Sequence, residues 1–151
     1  SDGAPNGYSL FTFDGPSYSI DFKAARGPAD WQMNVYAKES LPAAECAGAE
    51  VWVNVFGGSE RSIVEMRLDR AGDWVALEKT VRPDPQLAQT KEAEDSAPER
   101  RGRSPPSPGR CHHLWRGRLP AGLGKGMHAI EVRTTDMFGH VYRTWRALRV
   151  E

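Results

Sequence analysis

Little in this 151-residue sequence points to a cross-linked, membrane-spanning or nucleic-acid-binding protein. Two cysteines, Cys46 and Cys111, are too few for a disulfide framework, and we expect two partly buried free thiols, with one bridge between them as the alternative. Lys+Arg and Asp+Glu both number 20, so the basic surplus that is typical of nucleic-acid binding is absent. No apolar run reaches the roughly 18 residues of a membrane span. A single domain over residues 1–151 fits this length and composition.

Signatures of catalysis are also missing. The sequence contains no Gly-x-Ser-x-Gly elbow and no Gly-rich phosphate loop followed by Lys-Ser or Lys-Thr. His112 and His113 are adjacent in a predicted strand, so they point to opposite faces and do not serve one metal ion. Cys111 and His113 share a face, but zinc needs two more ligands, and no second pair has ligand spacing. We therefore predict no catalytic, cofactor-binding or metal-binding residue, and we interpret His113 as a packed, hydrogen-bonded histidine beside Trp115.

What the sequence does contain is alternation with a period of two in short segments between turn residues, the pattern of β-strands. Asp14-Gly15 predicts a hairpin between the first two strands. Bulk on both faces of residues 50–56 predicts a central strand, and the strands between 50 and 79 are predicted to form an antiparallel meander. The predicted strands are 8–14, 17–23, 32–37, 50–56, 61–68, 74–79, 112–119, 127–135 and 140–150.

Residues 82–110 interrupt this pattern as a long charged and Pro-rich insertion. Asp84-Pro85 has the chemistry of an N-cap followed by a first helical residue, which predicts a short helix over 86–95. Residues 97–109 are rich in Pro, Arg and Ser and are predicted to be a mobile loop. Its arginines, Arg100, Arg101, Arg103 and Arg110, are interpreted as part of a solvated loop, with contact to a phosphate or an acidic partner as the alternative. The whole pattern predicts an all-β, two-sheet antiparallel β-sandwich of immunoglobulin or fibronectin type, with one long loop carrying a short helix.

Several strings, in this order and spacing, make the chain resemble the C-terminal domain of bacterial calcineurin-like phosphoesterases, the metallophosphoesterase family. The resemblance covers nearly the whole chain and is weakest over 97–109. The strings that carry it are residues 1–8, 13–15 with Tyr18, 22–25, 32–37, 53–56 with Gly58-Ser59, 113–116 and 130–139.

The resemblance implies a larger hydrolase in which a β domain and a metallophosphoesterase domain precede this one. The phosphoesterase domain would use Asp-x-His, Gly-Asp-x-x-Asp, Gly-Asn-His and Gly-His-x-His motifs to hold two divalent metal ions. None of these motifs occurs here, because Gly139-His140-Val141-Tyr142 has Tyr142 where the last one requires His. The Gly, Pro and Asn of residues 1–7 further suggest a linker, with the missing part of the protein upstream.

Two functions follow as expectations. The first is a non-catalytic accessory domain that packs on or orients the phosphoesterase domain of the same chain, with residues 82–109 reaching across to it. The second is a stand-alone carbohydrate- or protein-binding module, because five tryptophans, Trp31, Trp52, Trp74, Trp115 and Trp145, on a sandwich could stack sugars, although core positions are the preferred interpretation. We expect no nucleic-acid partner and no membrane span, and the resemblance suggests a periplasmic or secreted protein.

Overall fold

The computed structural model describes residues 1–97 and 106–151, and within them the chain forms three antiparallel sheets and two helices. The strands are β1 (Gly7–Asp14), β2 (Ser17–Ala24), β3 (Met33–Tyr36), β4 (Ser40–Leu41), β5 (Glu50–Val55), β6 (Ile63–Leu68), β7 (Ala71–Ala76), β8 (Glu78–Pro83), β9 (Arg110–Arg118), β10 (Gly126–Thr135) and β11 (Val141–Val150); the helices are α1 (Ala43–Cys46) and α2 (Pro85–Asp95). A five-stranded sheet has the order β4-β11-β10-β6-β7, a four-stranded sheet has the order β3-β5-β9-β8, and β1 and β2 form a separate hairpin. Only the short β4–β11 pairing is parallel within the described residues.

This architecture confirms the predicted all-β sandwich with one short helix in the long insertion. The two larger sheets bury their facing sides, so alternate residues of each strand enter one core. On β5 these are Val51, Val53 and Val55, and on β10 they are Ile130 and Val132. The N-cap prediction is also confirmed, because α2 begins at Pro85 and the Asp84 side chain accepts a hydrogen bond from the Leu87 N–H at 2.9 Å.

The predicted meander is wrong. Strand β5 belongs to the four-stranded sheet, whereas β6 and β7 pair in the five-stranded sheet, so the chain crosses between the layers after β5. The predicted strand over 74–79 is likewise two strands, because the chain changes sheets at Leu77, whose side chain is buried and whose N–H donates to the Val64 carbonyl at 2.8 Å. Alternation shows which side of a strand is apolar, but it does not show which strand lies beside it.

The β1–β2 hairpin lies against the sandwich through β2. Asp14 pairs with Ser17 across the predicted turn, where Gly15 has a φ of 55° that suits glycine. The rings of Phe22 and Phe56 meet at 5.6 Å between centroids, and Gln32 Nε2 donates to the Phe22 carbonyl at 2.7 Å. All eight residues of β1 are exposed, so the hairpin presents its first strand to solvent.

Both cysteines are free thiols, as predicted, although their burial is complete rather than partial. Cys46 belongs to the main core between the sheets. Cys111 belongs to a smaller apolar cluster with Trp52 and Leu114. No helix in the described part of the chain is long and apolar enough to cross a membrane.

Two isoleucines of the five-stranded sheet test where the stability of the sandwich originates. We expect Ile130→Ala to lower the free energy of unfolding by about 2–5 kcal/mol, because Ile130 is 0% exposed and its removal leaves a cavity. Ile63→Ala is the matched control, since Ile63 is 56% exposed on the neighbouring strand and its truncation costs less than about 1 kcal/mol. Urea unfolding followed by circular dichroism measures both; equal losses would contradict this core.

Candidate functional site

A buried polar network lies on the side of the four-stranded sheet that faces away from the main core. At its centre is Asn54, which β5 alternation places opposite Val53 and Val55 and which is 0% exposed. Its Nδ2 donates to the Asp84 carboxylate at 2.7 Å and to the Asp2 backbone carbonyl at 2.9 Å. Its Oδ1 lies 2.8 Å from Nδ1 of His113. One amide therefore joins the first residues of the chain to β5, β9 and the start of α2.

Asp84 serves this network and the helix at the same time. Its Oδ2 accepts from Asn54, while its Oδ1 accepts from the Leu87 N–H at the first turn of α2. The carboxylate is 0% exposed, so both contacts replace water. Burial, followed by the nearby negative charge of Asp84, raises the pKa of the Tyr36 hydroxyl, which keeps that group protonated. The insertion after β8 is thus fixed at its first residue.

His113 contacts the network through both ring nitrogens. Nε2 lies 3.2 Å from Asp2 Oδ2, and Nδ1 lies 2.8 Å from Asn54 Oδ1 and 3.5 Å from the Cys111 sulfur. The prediction of a hydrogen-bonded histidine that shares a face with Cys111 is confirmed, and Trp115 packs in the main core. His113 thus connects Asp2 to Asn54 through opposite nitrogens of one ring.

The combination of Cys111, His113 and Asn54 has the residue types of a nucleophile triad but not its arrangement. In a working triad the nucleophile and the orienting group contact opposite nitrogens of the imidazole. Here the thiol and the amide oxygen both contact Nδ1. Burial raises the pKa of Cys111 to about 11, and the side chain is 0% exposed, so the reactive thiolate is scarce and substrate does not reach it. The cluster is therefore structural.

The network holds residues 1–4, which we call the N-terminal strap. Besides Asn54, the segment around Gly109 binds it, because the Gly109 N–H donates to the Ser1 carbonyl at 2.7 Å. Gly3 has a φ of 84°, and a Cβ at this position would lie 2.6 Å from the Asp84 carboxyl carbon. Only glycine fits here, so the predicted linker is instead bound to the domain over these residues.

Electrostatics reinforce the strap at Asp2. Partial burial raises the pKa of this carboxyl, but hydrogen bonds from the His113 ring and the Ala4 N–H, together with positive charge on His113, outweigh that effect. The pKa of Asp2 consequently lies below its ordinary value of 3.8. Sequence reasoning identified His113 but missed Asp2, Asn54 and Asp84 as its group, because Asn54 is 30 positions from Asp84 and Asp2 is 111 positions from His113.

The structure describes some, but not all, of the remaining sequence candidates. Among residues 1–97 and 106–151, no group of three or more His, Cys, Asp or Glu side chains could hold a metal ion. His140, from the string that imitates a phosphoesterase motif, contacts Asp136 Oδ2 at 3.0 Å within its own turn. Arg100, Arg101 and Arg103 of the insertion lie outside the described residues, and Arg110 is exposed at the start of β9.

Two of the five tryptophans follow the core interpretation, because Trp52 and Trp115 are buried. Trp31 and Trp74 are partly buried, and the ring of Trp74 is covered by two arginine guanidinium groups, at 4.5 and 4.3 Å from its centroid. Trp145 is 62% exposed on β11. These positions do not bring the five indoles together into one stacking platform.

Comparison with known proteins agrees with the sequence resemblance. A family model described as the C terminal of calcineurin-like phosphoesterase matches residues 1–142. No curated protein sequence matches this chain. Among solved structures, CopC from Methylosinus trichosporium OB3b is similar at 15% identity, covering 95% of this chain and 94% of that one, with a TM-score of 0.37. A likeness at that score supports no statement about function.

The fold and the network define an all-β domain whose N-terminal strap is bound to the domain's own surface. The family model matches residues 1–142, which is most of the chain, and this match identifies the family of the domain. The chain belongs to the family of C-terminal domains of calcineurin-like phosphoesterases.

Asp84→Ala tests the network without touching the main core. We expect a loss of about 2–4 kcal/mol in unfolding free energy, because α2 loses its N-cap and a buried Asn54 donor loses its acceptor. Asp73→Ala, an exposed aspartate on β7, is the control and should change stability by less than about 0.5 kcal/mol. Chemical unfolding at neutral pH measures both. Equal effects of the two substitutions would contradict the role of Asp84.

The lowered pKa of Asp2 predicts a pH dependence. A carboxyl whose pKa is lower in the folded state contributes stability above its unfolded value, and this contribution is lost as pH falls through the folded-state pKa. We therefore expect the stability advantage of the native chain over Asp2→Asn to be constant above about pH 5 and to disappear below the ordinary value of 3.8. Urea midpoints of both proteins between pH 2 and 7 test this; a constant difference would contradict it.

Proposed function

We propose that this chain is a non-catalytic accessory domain that packs on and orients the phosphoester-hydrolysing domain of a longer parent protein. The observation that carries the proposal is the N-terminal strap. In a C-terminal domain the preceding domain joins at the N-terminal side, and here that side is held by Asp2, Gly3 and their buried partners. A bound entry segment restricts the angles that two domains can adopt, whereas a free linker allows them to swing.

The chemistry in this proposal belongs to the phosphoesterase domain. Two divalent metal ions held there would activate water for attack on phosphorus and stabilise the leaving oxygen. The present chain supplies structure in this proposal, since the Cys-His-Asn cluster is buried and its contacts differ from those of a catalytic triad. The insertion over 82–110 remains a second candidate contact with that domain, although 98–105 lie outside the described residues. The parent would be a bacterial hydrolase, and periplasmic or secreted location remains a proposal from the family resemblance.

The reading frame upstream of Ser1 gives the first test. We expect it to encode, in frame, the series of motifs from Asp-x-His to Gly-His-x-His. A start codon or a signal sequence directly before Ser1 would contradict the accessory role, and screening of glycan and protein ligands would then take priority.

Calorimetry of the parent protein then tests packing. We expect residues 1–151 to unfold at a higher temperature in the parent than alone, by about 2–4 °C for each kcal/mol of interdomain contact. Manganese-dependent hydrolysis of bis(p-nitrophenyl) phosphate should fall when this domain is deleted. Two independent transitions, combined with unchanged hydrolysis after deletion, would contradict the proposal.

A further inference from the structure

Strand β1 exposes an unusual amount of apolar surface for one short strand. We define the β1 patch as Tyr8, Leu10, Phe11 and Phe13, whose exposed fractions are 53%, 54%, 58% and 73%. With Tyr18 of β2, this hairpin holds five of the twelve large hydrophobic side chains that are exposed in the described residues. The patch presents on the order of 400–500 Å² of apolar surface. Tyr8 and Leu10 lie on one face of the ribbon and Phe11 and Phe13 on the other, so this area is shared between two faces that meet at the free edge of β1. Clusters of exposed apolar side chains are often sites of interaction.

The backbone of β1 is as unprotected as its side chains. It pairs with β2 on one edge, and no strand of the described residues pairs with the other edge. Edge strands of soluble proteins are normally guarded by Lys, Pro, a bulge or a covering segment. Strand β1 contains neither Lys nor Pro, its register with β2 is regular over all eight residues, and its one charged residue is Asp14 at the end. A hairpin of two strands is also marginal by itself.

Strand β2 already packs against the sandwich, so the sandwich cannot also bury β1. Phe22 packs on Phe56, and Tyr18 packs on Phe138 at 5.7 Å between ring centroids. Asp21 of β2 also contacts the sandwich, with its Oδ1 3.6 Å from Nδ1 of His140. The hairpin is thus fixed to the domain along its second strand and offers its first strand outward, with the patch distributed over both faces of the ribbon.

We propose that the β1 patch and the free edge of β1 are the docking surface for the phosphoesterase domain of the same chain. The inference rests on the proposed function and names the surface through which it operates. Family order places that domain at the N-terminal side, and the strap fixes the entering chain at Asp2, five residues before β1 begins. Five residues span at most about 18 Å, so the point at which the preceding chain reaches this domain lies close to the patch. Tethering at this range gives millimolar effective concentration.

The chemistry of the patch agrees with a folded protein surface as its occupant. Aromatic side chains with one aliphatic residue and almost no charge are typical of the buried centre of an interface. A nucleic acid would require a basic surface instead, and β1 contains no basic residue. A second copy of this chain, paired edge to edge through β1, is the competing occupant, and the experiment separates it from the phosphoesterase domain.

Hydrogen exchange read at the amides of β1 provides the test. The parent protein and residues 1–151 alone are compared, each with native sequence and with the double substitution Phe11→Ser and Phe13→Ser. The matched control is Ile63→Ser with Val75→Ser, two side chains that are 56% and 58% exposed on the other sheet. We expect β1 amides to exchange at least about tenfold more slowly in the parent than in residues 1–151. The Phe double substitution should abolish that difference, and the control pair should leave it intact.

The possible results separate a failure of the proposed docking surface from a failure of the proposed accessory function. Residues 1–151 carrying the Phe substitutions should keep the native melting temperature, because both rings are already exposed in the isolated domain. A large decrease in the melting temperature would show that the rings stabilise the domain itself, and it would overturn the inference. Equal exchange of β1 in parent and fragment, with calorimetric coupling retained, overturns the docking surface and leaves the accessory function standing. Equal exchange with uncoupled transitions overturns both. Protection that appears in the fragment and rises with its concentration, with a dimer by light scattering, assigns β1 to a second copy and also overturns the inference.

Discussion

The side-chain amide of Asn54 is the contact on which the organisation of this domain depends. It is 0% exposed, and it donates to Asp84 and to the Asp2 carbonyl while its oxygen meets His113. A buried polar network of this kind is favourable only when its members are satisfied, because each orphaned group costs the free energy of its lost hydration. The entering chain, β9 and the start of α2 are therefore fixed together, since displacement of any one leaves the others unpaired.

The two faces of the four-stranded sheet have different roles. Valines of β5 face the main core and supply stability that is not directional. The opposite face carries Asn54 and His113, whose hydrogen bonds are directional and set where the N-terminal strap lies. The hairpin follows the strap directly along the chain, so the bound entry and the exposed apolar strand belong to the same end of the sequence. Under the proposed function, the residues that orient the neighbouring domain therefore differ from the residues that bind it.

The sequence predicted the local elements well because their causes are local. Alternation predicted β5 and its central place, and Asp84-Pro85 predicted the start of α2. The layer change after β5 was not predictable in this way, because the sheet that a strand joins depends on strands distant in sequence. The strap was missed for a related reason. Ser1 to Asn6 has the composition of a linker, and only the distant partners of Asp2 and Gly3 bind it to the domain. A regular alternation through β9 also gave no sign that its pairing with β8 shifts between Thr80 and Arg82.

The burial of the two thiols has a consequence for the environments in which this fold can persist. Cys46 lies in the main core and Cys111 in the separate cluster with Trp52, so neither faces the other or the solvent. A thiol that oxidants do not reach is not converted to a sulfenic acid or a mixed disulfide, and a fold without a bridge loses nothing to a reductant. The domain is accordingly indifferent to redox potential as long as it stays folded, and its stability rests on packing and hydrogen bonds that no change of redox compartment alters.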